Sequence, residues 1–309
     1  MSPKNGAETS RKREEMTTIG FIGLGIMGAP MARHLADAGH RVHGFDLSRE
    51  AVSTLAEAGG EAAESIGDAA SGADIVITML PADAQVEAVV LGDDGVLAHA
   101  AAGALLIDMS TVSPQTSQAV ATAAAPRGVR VLDAPVSGGQ AGAVEAVLSI
   151  MVGGDEADFA SARDILDALG KTVVHVGPHG AGQVVKAANQ LLVGGIIALN
   201  AEALVLMEAS GVDPARGLEV LNGGLAGSTV LTRKMDNFLH RSYPPGFRID
   251  LHHKDMGIVH NAARGAGVAL PLAAQVESLV AAARASGLGD ADHSALLAVI
   301  EGLNDRKGA

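Results

Sequence analysis

The chain has 309 residues, more than a single hydrophobic core usually holds, so two domains of moderate size are expected. With 22 basic and 35 acidic side chains, its formal net charge of −13 gives it no electrostatic attraction to nucleic acids or anionic membranes and disfavours both as partners. It contains no cysteine, which excludes disulfides, thiolate nucleophiles and cysteine-based zinc sites and fits a cytoplasmic protein.

Residues 1–16 are polar, and no apolar signal-peptide core follows their basic side chains. They are expected to form a disordered tail before a folded chain that starts near residue 17. The longest apolar run, residues 191–199, is well short of the roughly 20 residues that a membrane-spanning helix needs. No membrane segment is therefore predicted.

Residues 19–46 have the pattern of a strand, a glycine-rich turn, a helix and a second strand that ends in an acid. Gly23 permits the tight turn, Gly25 lets the backbone approach a pyrophosphate, and Gly28 lets the helix pack close to the strand. The helix N-terminus offers N–H groups and a positive dipole end to the phosphates. Asp46 is placed to bind the adenosine ribose and to repel a 2′-phosphate, which favours NAD over NADP.

Between residues 17 and 178, short Val- and Ile-rich runs alternate with helical patterns. This alternation predicts an α/β Rossmann domain with a doubly wound, mostly parallel sheet. Ligands bind at the carboxyl ends of such strands, so the loops at 79–81, 110–111 and 135–139 are candidate contacts. The strands are predicted at 18–23, 41–46, 74–79, 104–108, 129–133, 148–153 and 172–176.

The strand signal almost disappears beyond this point, and an all-helical domain is predicted over 179–309. A long helix over 181–210 joins the two domains. It is more hydrophobic than a surface helix needs to be, so part of it is expected to contact another subunit or to form the core of the second domain. The remaining helices are predicted at 214–222, 228–239, 254–266, 271–287 and 293–303.

Two short patterns have the residue types of a reaction site. Ser137, Gly138 and Gly139 offer a hydroxyl and consecutive N–H groups that can hold a carboxylate, although an ordinary loop has the same pattern. Lys186 and Asn189 lie one turn apart on the same side of the long helix. Most helical lysines are solvated, but the apolar neighbours of Lys186 predict partial desolvation, which lowers its pKa toward the range useful for proton transfer.

A pair of adjacent histidines, His252 and His253, precedes Lys254 and resembles a metal-binding pair. Adjacent residues on a helix or a strand point in different directions, so the two rings are not expected to share one ion. No metal site is predicted.

The order and spacing of four motifs resemble the β-hydroxyacid dehydrogenases, which include 3-hydroxyisobutyrate and 6-phosphogluconate dehydrogenases. The resemblance spans residues 17–303 and implies a Rossmann domain, a long interdomain helix and a helical domain that takes part in a homodimer or homotetramer. The four motifs are residues 21–31, residues 133–139, the helix with Lys186 and Asn189, and Lys254-Asp255.

The resemblance also implies the roles of individual residues. Lys186 is the implied general acid in carbonyl reduction and the base in alcohol oxidation, and Asn189 orients the substrate or the lysine. Ser137, Gly138 and Gly139 hold the substrate carboxylate, and Lys254 reaches the nicotinamide side of the cleft. The residues predicted to bind the cofactor are Gly23, Leu24, Gly25, Ile26, Met27, Gly28, Asp46, Leu80, Pro81, Gln85, Thr111 and Lys254.

Residues 223–231, 245–252 and 287–296 look most like the tartronate semialdehyde reductase branch of the family. The expected reaction is therefore hydride transfer that converts tartronate semialdehyde to glycerate, with Ser137, Asn189 and Gln190 as polar partners of the substrate hydroxyl. A 3-hydroxyisobutyrate dehydrogenase and a succinic semialdehyde or glyoxylate reductase are the alternatives.

Two other functions are less favoured. Imine reductases share this scaffold but typically replace the lysine, and a catalytically silent nucleotide-binding module has no reason to keep the whole residue set. One departure from some relatives concerns the cofactor: they carry Asn-Arg after the second strand, where this chain has Asp46-Leu47. The family thus leaves NADP open, and Asp46 favours NAD.

Overall fold

The computed structural model describes residues 16–306, in which a nine-stranded sheet with its helices is followed by a helical domain. The tail predicted over 1–16 lies outside the described residues except for Met16. The strands are β1 (Thr18–Ile22), β2 (Arg41–Phe45), β3 (Glu61–Ala62), β4 (Ile75–Thr78), β5 (Leu105–Asp108), β6 (Arg130–Asp133), β7 (Val136–Ser137), β8 (Leu148–Gly154) and β9 (Gly170–Gly177).

The first six strands are parallel, in the order β3-β2-β1-β4-β5-β6. Strand order reverses between β1 and β4, which creates the crevice at which doubly wound sheets bind their ligands. Every residue of β4 and β5 is buried, as expected of parallel strands covered by helices on both faces. The doubly wound, mostly parallel sheet predicted from the sequence is confirmed.

The direction of the chain changes after β6. Strand β8 is antiparallel to both β6 and β7, and β9 is parallel to β8. Ala134 and Pro135 lead into β7, and the short helix over Gly139–Val144 then returns the chain to the same edge of the sheet, so β8 enters in the opposite direction. A strand signal does not encode direction, and the two-residue strands β3 and β7 are too short to produce a periodic pattern.

Helices cover both faces of this sheet, and each face has its own apolar core. A 3₁₀ turn over Ala125–Arg127 follows the sixth helix. The helices are α1 (Gly28–Asp37), α2 (Arg49–Glu57), α3 (Ile66–Ala70), α4 (Asp83–Leu91), α5 (Val96–His99), α6 (Pro114–Ala124), α7 (Gly139–Val144), α8 (Glu156–Ser161) and α9 (Arg163–Asp167).

The helical domain is built around α10, which has 29 residues and contributes Ile197 and Leu204 to a third apolar core. A π-helical turn follows α14, and a 3₁₀ turn precedes α15. Helix α13 begins five residues before its predicted start; no side chain caps this end, so it lacks the usual start signal. The helices are α10 (Ala181–Ala209), α11 (Pro214–Gly223), α12 (Thr229–His240), α13 (Ile249–Ala266), α14 (Pro271–Ala283) and α15 (Leu296–Leu303).

By length and composition, α10 is the one helix within residues 16–306 that is able to cross a membrane. It is also the central core helix of its domain, and it buries Gln183, Lys186 and Gln190. Charged and amide side chains are costly in a lipid environment. These buried polar groups therefore argue that α10 is a core helix of the domain.

Candidate active site

The glycine-rich turn between β1 and α1 has the geometry of a dinucleotide-binding loop. Gly23 has a φ of +100°, which favours glycine, and its N–H donates to the Phe45 carbonyl oxygen at 2.9 Å. A Cβ on Gly28 would overlap the carbonyl oxygen of Gly23, so α1 packs on the turn only with glycine there. A Cβ on Gly25 would meet nothing within 4 Å, so this side of the turn faces open space, as the predicted approach of a pyrophosphate requires.

Asp46 lies just after β2 and holds this turn in place. Its Oδ2 accepts the Leu24 N–H at 2.7 Å, and its Oδ1 accepts the Ser48 N–H at 2.7 Å. The Leu24 side chain is buried and its N–H is used by Asp46, whereas Ile26 is exposed and Met27 is half-buried at the start of α1. Each Asp46 oxygen keeps a second lone pair with which to accept a ribose hydroxyl.

The predicted loops after β4 and β5 lie side by side, because these strands are neighbours. The Leu80 N–H donates to the Ser110 Oγ at 2.8 Å, which joins the two loops. Gln85 is exposed in the first turn of α4, beyond the first loop.

Lys254 connects the helical domain to both of these loops. Its Nζ donates to the Pro81 carbonyl oxygen at 2.9 Å and to the Thr111 carbonyl oxygen at 2.6 Å. The structure therefore places Lys254 on the two loops that the sequence predicts to contact the cofactor, where it joins the two domains.

Lys186 is buried, and its Nζ donates to the Val136 carbonyl oxygen at 2.7 Å, one residue before Ser137. Burial lowers the pKa of Lys186 to about 8; the negative charge of Asp255 opposes the shift, and the positive charge of Lys254 adds to it. The Ser137 hydroxyl is half-buried and makes no hydrogen bond to another described residue. The predicted lysine and the predicted carboxylate cradle, Ser137 with the two glycines after it, thus lie together.

Asn189 belongs to a chain of side-chain hydrogen bonds that continues to α13. Its Nδ2 donates to Gln190 Oε1 at 2.8 Å, and Gln190 Nε2 donates to Asp255 Oδ2 at 2.6 Å. Lys254 Nζ lies 3.2 Å from the other oxygen, Oδ1, of Asp255. Gln190 is buried and its side chain lies between Asn189 and Asp255, where it orients the Asn189 amide, and its contact with a substrate hydroxyl stays a prediction.

A buried carboxylate that sequence reasoning missed anchors the start of α10. Asp133 accepts the Gly180 N–H at 2.7 Å and the Gln183 N–H at 3.2 Å. Burial raises the pKa of Asp133 to about 6, although these two backbone donors oppose the shift. Gln183 in turn accepts the Val112 N–H at 3.2 Å and donates to the Ser110 carbonyl oxygen at 2.9 Å, so this end of α10 also contacts the loop after β5.

The two adjacent histidines lie in different surroundings. His252 is buried, with Nδ1 3.1 Å from His293 Nδ1 and Nε2 3.2 Å from the Gln190 carbonyl oxygen, whereas His253 is partly exposed. Burial lowers the pKa of His252. Within residues 16–306, no group of three or more histidine or acidic side chains is arranged to hold a metal ion.

Comparisons with known proteins extend over nearly the whole chain. Residues 18–177 match a family model described as the NAD binding domain of 6-phosphogluconate dehydrogenase. Residues 180–300 match one described as the NAD-binding domain of NADP-dependent 3-hydroxyisobutyrate dehydrogenase.

Individual relatives are also similar to this chain over nearly its whole length. A 3-hydroxyisobutyrate dehydrogenase of Pseudomonas aeruginosa is 43% identical over 288 residues, which cover 91% of this chain and 96% of the relative. A 2-hydroxy-3-oxopropionate reductase of Escherichia coli is 39% identical over 289 residues, or 94% of this chain and 99% of the relative. The solved structure of Mycobacterium tuberculosis 3-hydroxyisobutyrate dehydrogenase with L-serine is 35% identical, covers 93% of this chain and 99% of that chain, and has a TM-score of 0.83.

The fold and these matches define a nicotinamide-dependent oxidoreductase. The chain belongs to the β-hydroxyacid dehydrogenase family, and the resemblance seen in its motifs is confirmed.

Lys186 is expected to control the pH dependence of the reaction. Because its pKa is lowered to about 8, kcat/KM for carbonyl reduction should fall as pH rises through that value, and the oxidation rate should rise over the same range. Lys186→Ala should lower kcat by about 10²–10⁴-fold, the usual contribution of acid–base catalysis. Steady-state rates between pH 6 and 10 check both effects.

The matched control is Lys171→Ala, which removes an exposed lysine from β9 and should change neither quantity. If Lys186→Ala keeps the kcat and the pH profile of the unaltered enzyme, Lys186 is not the proton donor.

Proposed function

We propose that this enzyme reduces short semialdehydes that carry a carboxylate, with tartronate semialdehyde, which yields glycerate, as the preferred substrate. The observation that carries the proposal is the buried Lys186 ammonium, bonded to Val136 beside the cradle of Ser137, Gly138 and Gly139. We also propose that residues 17–178 form the cofactor-binding domain and residues 179–309 the helical domain. A bound nicotinamide cofactor supplies the hydride.

The residues of the cleft then have separate tasks. Lys186 stabilises the negative charge that grows on the carbonyl oxygen and then donates a proton to it. The Ser137 hydroxyl and the following N–H groups hold the substrate carboxylate at a distance that presents the carbonyl to Lys186. Asn189 Nδ2 donates to Gln190, which leaves its Oδ1 outside that bond, and we infer that this oxygen accepts a hydrogen bond from a substrate hydroxyl.

The cofactor is proposed to be NAD. Asp46 follows β2 and bonds to the glycine-rich turn, where an acid in this fold binds the adenosine ribose, so its charge would repel a 2′-phosphate; Leu47, which follows it, is 94% exposed and supplies no positive charge. NADP is the alternative, because the family model matched by the helical domain describes an NADP-dependent enzyme.

We expect a higher kcat/KM with NADH than with NADPH, because the Asp46 carboxylate repels the extra phosphate. Asp46→Ser should narrow the difference by removing that charge. Initial rates with both cofactors at one saturating substrate concentration measure the ratio. Equal kcat/KM values for the two cofactors in the unaltered enzyme would contradict the assignment.

The choice of substrate rests on the hydroxyl partner. A site built to hydrogen-bond a hydroxyl rejects an analogue that lacks it, because its polar groups remain unpaired. Asn189 Oδ1 and the Ser137 hydroxyl are such groups, and a relative at 39% identity is named 2-hydroxy-3-oxopropionate reductase, the systematic name of this activity. The second candidate is 3-hydroxyisobutyrate dehydrogenase activity, named for a relative at 43% identity. The presence of Lys186 favours both over imine reduction.

We expect kcat/KM to be higher for tartronate semialdehyde than for methylmalonate or succinic semialdehyde. Asn189→Ala should reduce the preference, since it removes the acceptor for the hydroxyl, and should affect methylmalonate semialdehyde less. Initial rates of NADH oxidation, measured at several concentrations of each semialdehyde acid, give the order of the three kcat/KM values. If kcat/KM is highest for either of the other two semialdehydes, tartronate semialdehyde is not the preferred substrate. The membership of the chain in the family would not be affected.

A second copy of this chain is the proposed partner. Leu192, Leu199 and Leu206 are 64%, 66% and 66% exposed and recur every seven residues along one face of α10, which gives a self-complementary stripe for a homodimer or homotetramer. The lack of cysteine also fits the proposed cytoplasmic location, which cell fractionation checks.

Leu199→Glu should dissociate this oligomer, because it places a charge in an apolar contact. Sedimentation velocity measures the mass. Val268→Glu, at an exposed apolar position in the loop between α13 and α14, is the control and should leave the mass unchanged. A monomeric unaltered protein at micromolar concentration would contradict this proposal.

A further inference from the structure

Arg233 lies on α12 of the helical domain, yet its guanidinium contacts the Rossmann domain at the carboxylate cradle. Its Nη1 donates to the Gly138 carbonyl oxygen at 2.7 Å, and its Nη2 lies 3.2 Å from Glu145 Oε2. Gly138 immediately precedes the six-residue helix α7, and Glu145 immediately follows it. One side chain of the helical domain therefore holds both ends of α7.

The peptide unit between Gly138 and Gly139 is the part of the cradle that this contact orients. Gly138 has a φ of +147° and Gly139 a φ of +63°, so this pair is in a conformation that glycine adopts without side-chain restraint. As the first residue of α7, Gly139 has no intrahelical acceptor for its N–H, which leaves that N–H for a ligand.

A trans peptide points its carbonyl oxygen and its N–H in opposite directions. The Gly138 oxygen is fixed by Arg233 at 2.7 Å and by the Gly142 N–H at 3.1 Å. These two donors therefore set the direction of the Gly139 N–H. The Gly142 bond belongs to α7 itself, whereas the Arg233 bond comes from the other domain.

Two features suit arginine to this task. The planar guanidinium reaches the carbonyl oxygen and the Glu145 carboxylate with two different nitrogens, which the single ammonium of a lysine does not reproduce. The backbone at Gly142 does not restrict the guanidinium either, since even a Cβ there would lie 3.9 Å from Nη1, in ordinary van der Waals contact.

We propose that Arg233 is a positioning residue for the substrate carboxylate, acting through the Gly138 carbonyl; this rests on the proposed binding of that carboxylate by the cradle. Arg233 and the cradle belong to different domains, so the contact exists only when the domains are in this arrangement. A carboxylate that binds the oriented N–H therefore stabilises the same arrangement of domains.

The test compares an acid with its uncharged counterpart. Arg233→Gln should raise KM for the preferred semialdehyde acid about tenfold, the size expected for the loss of a charged hydrogen bond at a partly exposed position. KM for the methyl ester of the same semialdehyde, KM for NADH and kcat should stay within about twofold of the unaltered enzyme. Calorimetric titration of the NADH complex with glycerate, which does not react, should show the same loss of affinity as KM.

Three variants serve as controls. Arg216→Gln removes an exposed arginine from α11 and should change none of these values. Glu145→Gln breaks the ion pair but keeps the Gly138 contact, and it should raise KM less than Arg233→Gln does. Arg233→Lys keeps the charge but not the two-nitrogen geometry, and it should restore only part of the affinity.

Full recovery in Arg233→Lys, or an equal rise in KM for acid and ester in Arg233→Gln, would overturn the positioning role. If Ser137→Ala raises KM for the acid alone and Arg233→Gln has no effect, the Arg233 proposal fails and the cradle stands. If Ser137→Ala also raises KM for the acid and for the ester by the same factor, the cradle does not bind the carboxylate. The proposed function is then wrong as well.

Discussion

The position of the reaction site depends on one buried carboxylate at the end of β6. Helices usually satisfy their first N–H groups with a side chain at the N-cap, but the residue at that position of α10 is Gly180, which has none. Asp133 supplies the missing acceptor from the sheet. A Cβ on Gly153 or Gly182 would collide with Asp133, so the helix approaches this strand only with glycine at both positions. Because α10 starts here, Lys186 reaches Val136 less than two turns later.

The same water-poor surroundings shift the pKa values of the two charged groups in opposite directions. Burial raises the pKa of Asp133 to about 6 and lowers that of Lys186 to about 8, since it disfavours the charged form of each. For Asp133, folding favours the protonated form, so the contribution of this group to stability falls as pH rises from about 4 to about 6. The ionised carboxylate is thus held at a cost in stability. The same burial gives Lys186 a pKa of about 8, which suits the proton transfer proposed for it.

Local patterns predicted the parts of the molecule that local chemistry determines. The glycines of the nucleotide turn are recognisable because each meets a steric requirement within a few residues, as Gly23 and Gly28 do. The apolar neighbours of Lys186 predict its desolvation, but they are not what buries it. Its neighbours Val184 and Val185 are 51% and 38% exposed, and the lysine is buried by the approach of the loop after β6.

The contacts that the sequence did not predict join positions far apart in the chain. Gln190 bonds to Asp255 across 65 positions, Arg233 to Gly138 across 95, and Lys254 to Pro81 across 173. No periodic or local pattern records such pairs, because each depends on how the finished domains meet.

These long-range contacts also explain why two domains are needed for one reaction. Lys254 holds the cofactor loops, Arg233 holds the cradle, and Lys186 and Asn189 lie on the helix that connects the two halves. The Rossmann domain alone would keep the nucleotide turn but lose Lys186, the proposed proton donor. The helical domain alone would keep the lysine but lose the Val136 carbonyl that positions it. The proposed cofactor site and the proposed substrate site are therefore both completed by the same packing of one domain on the other.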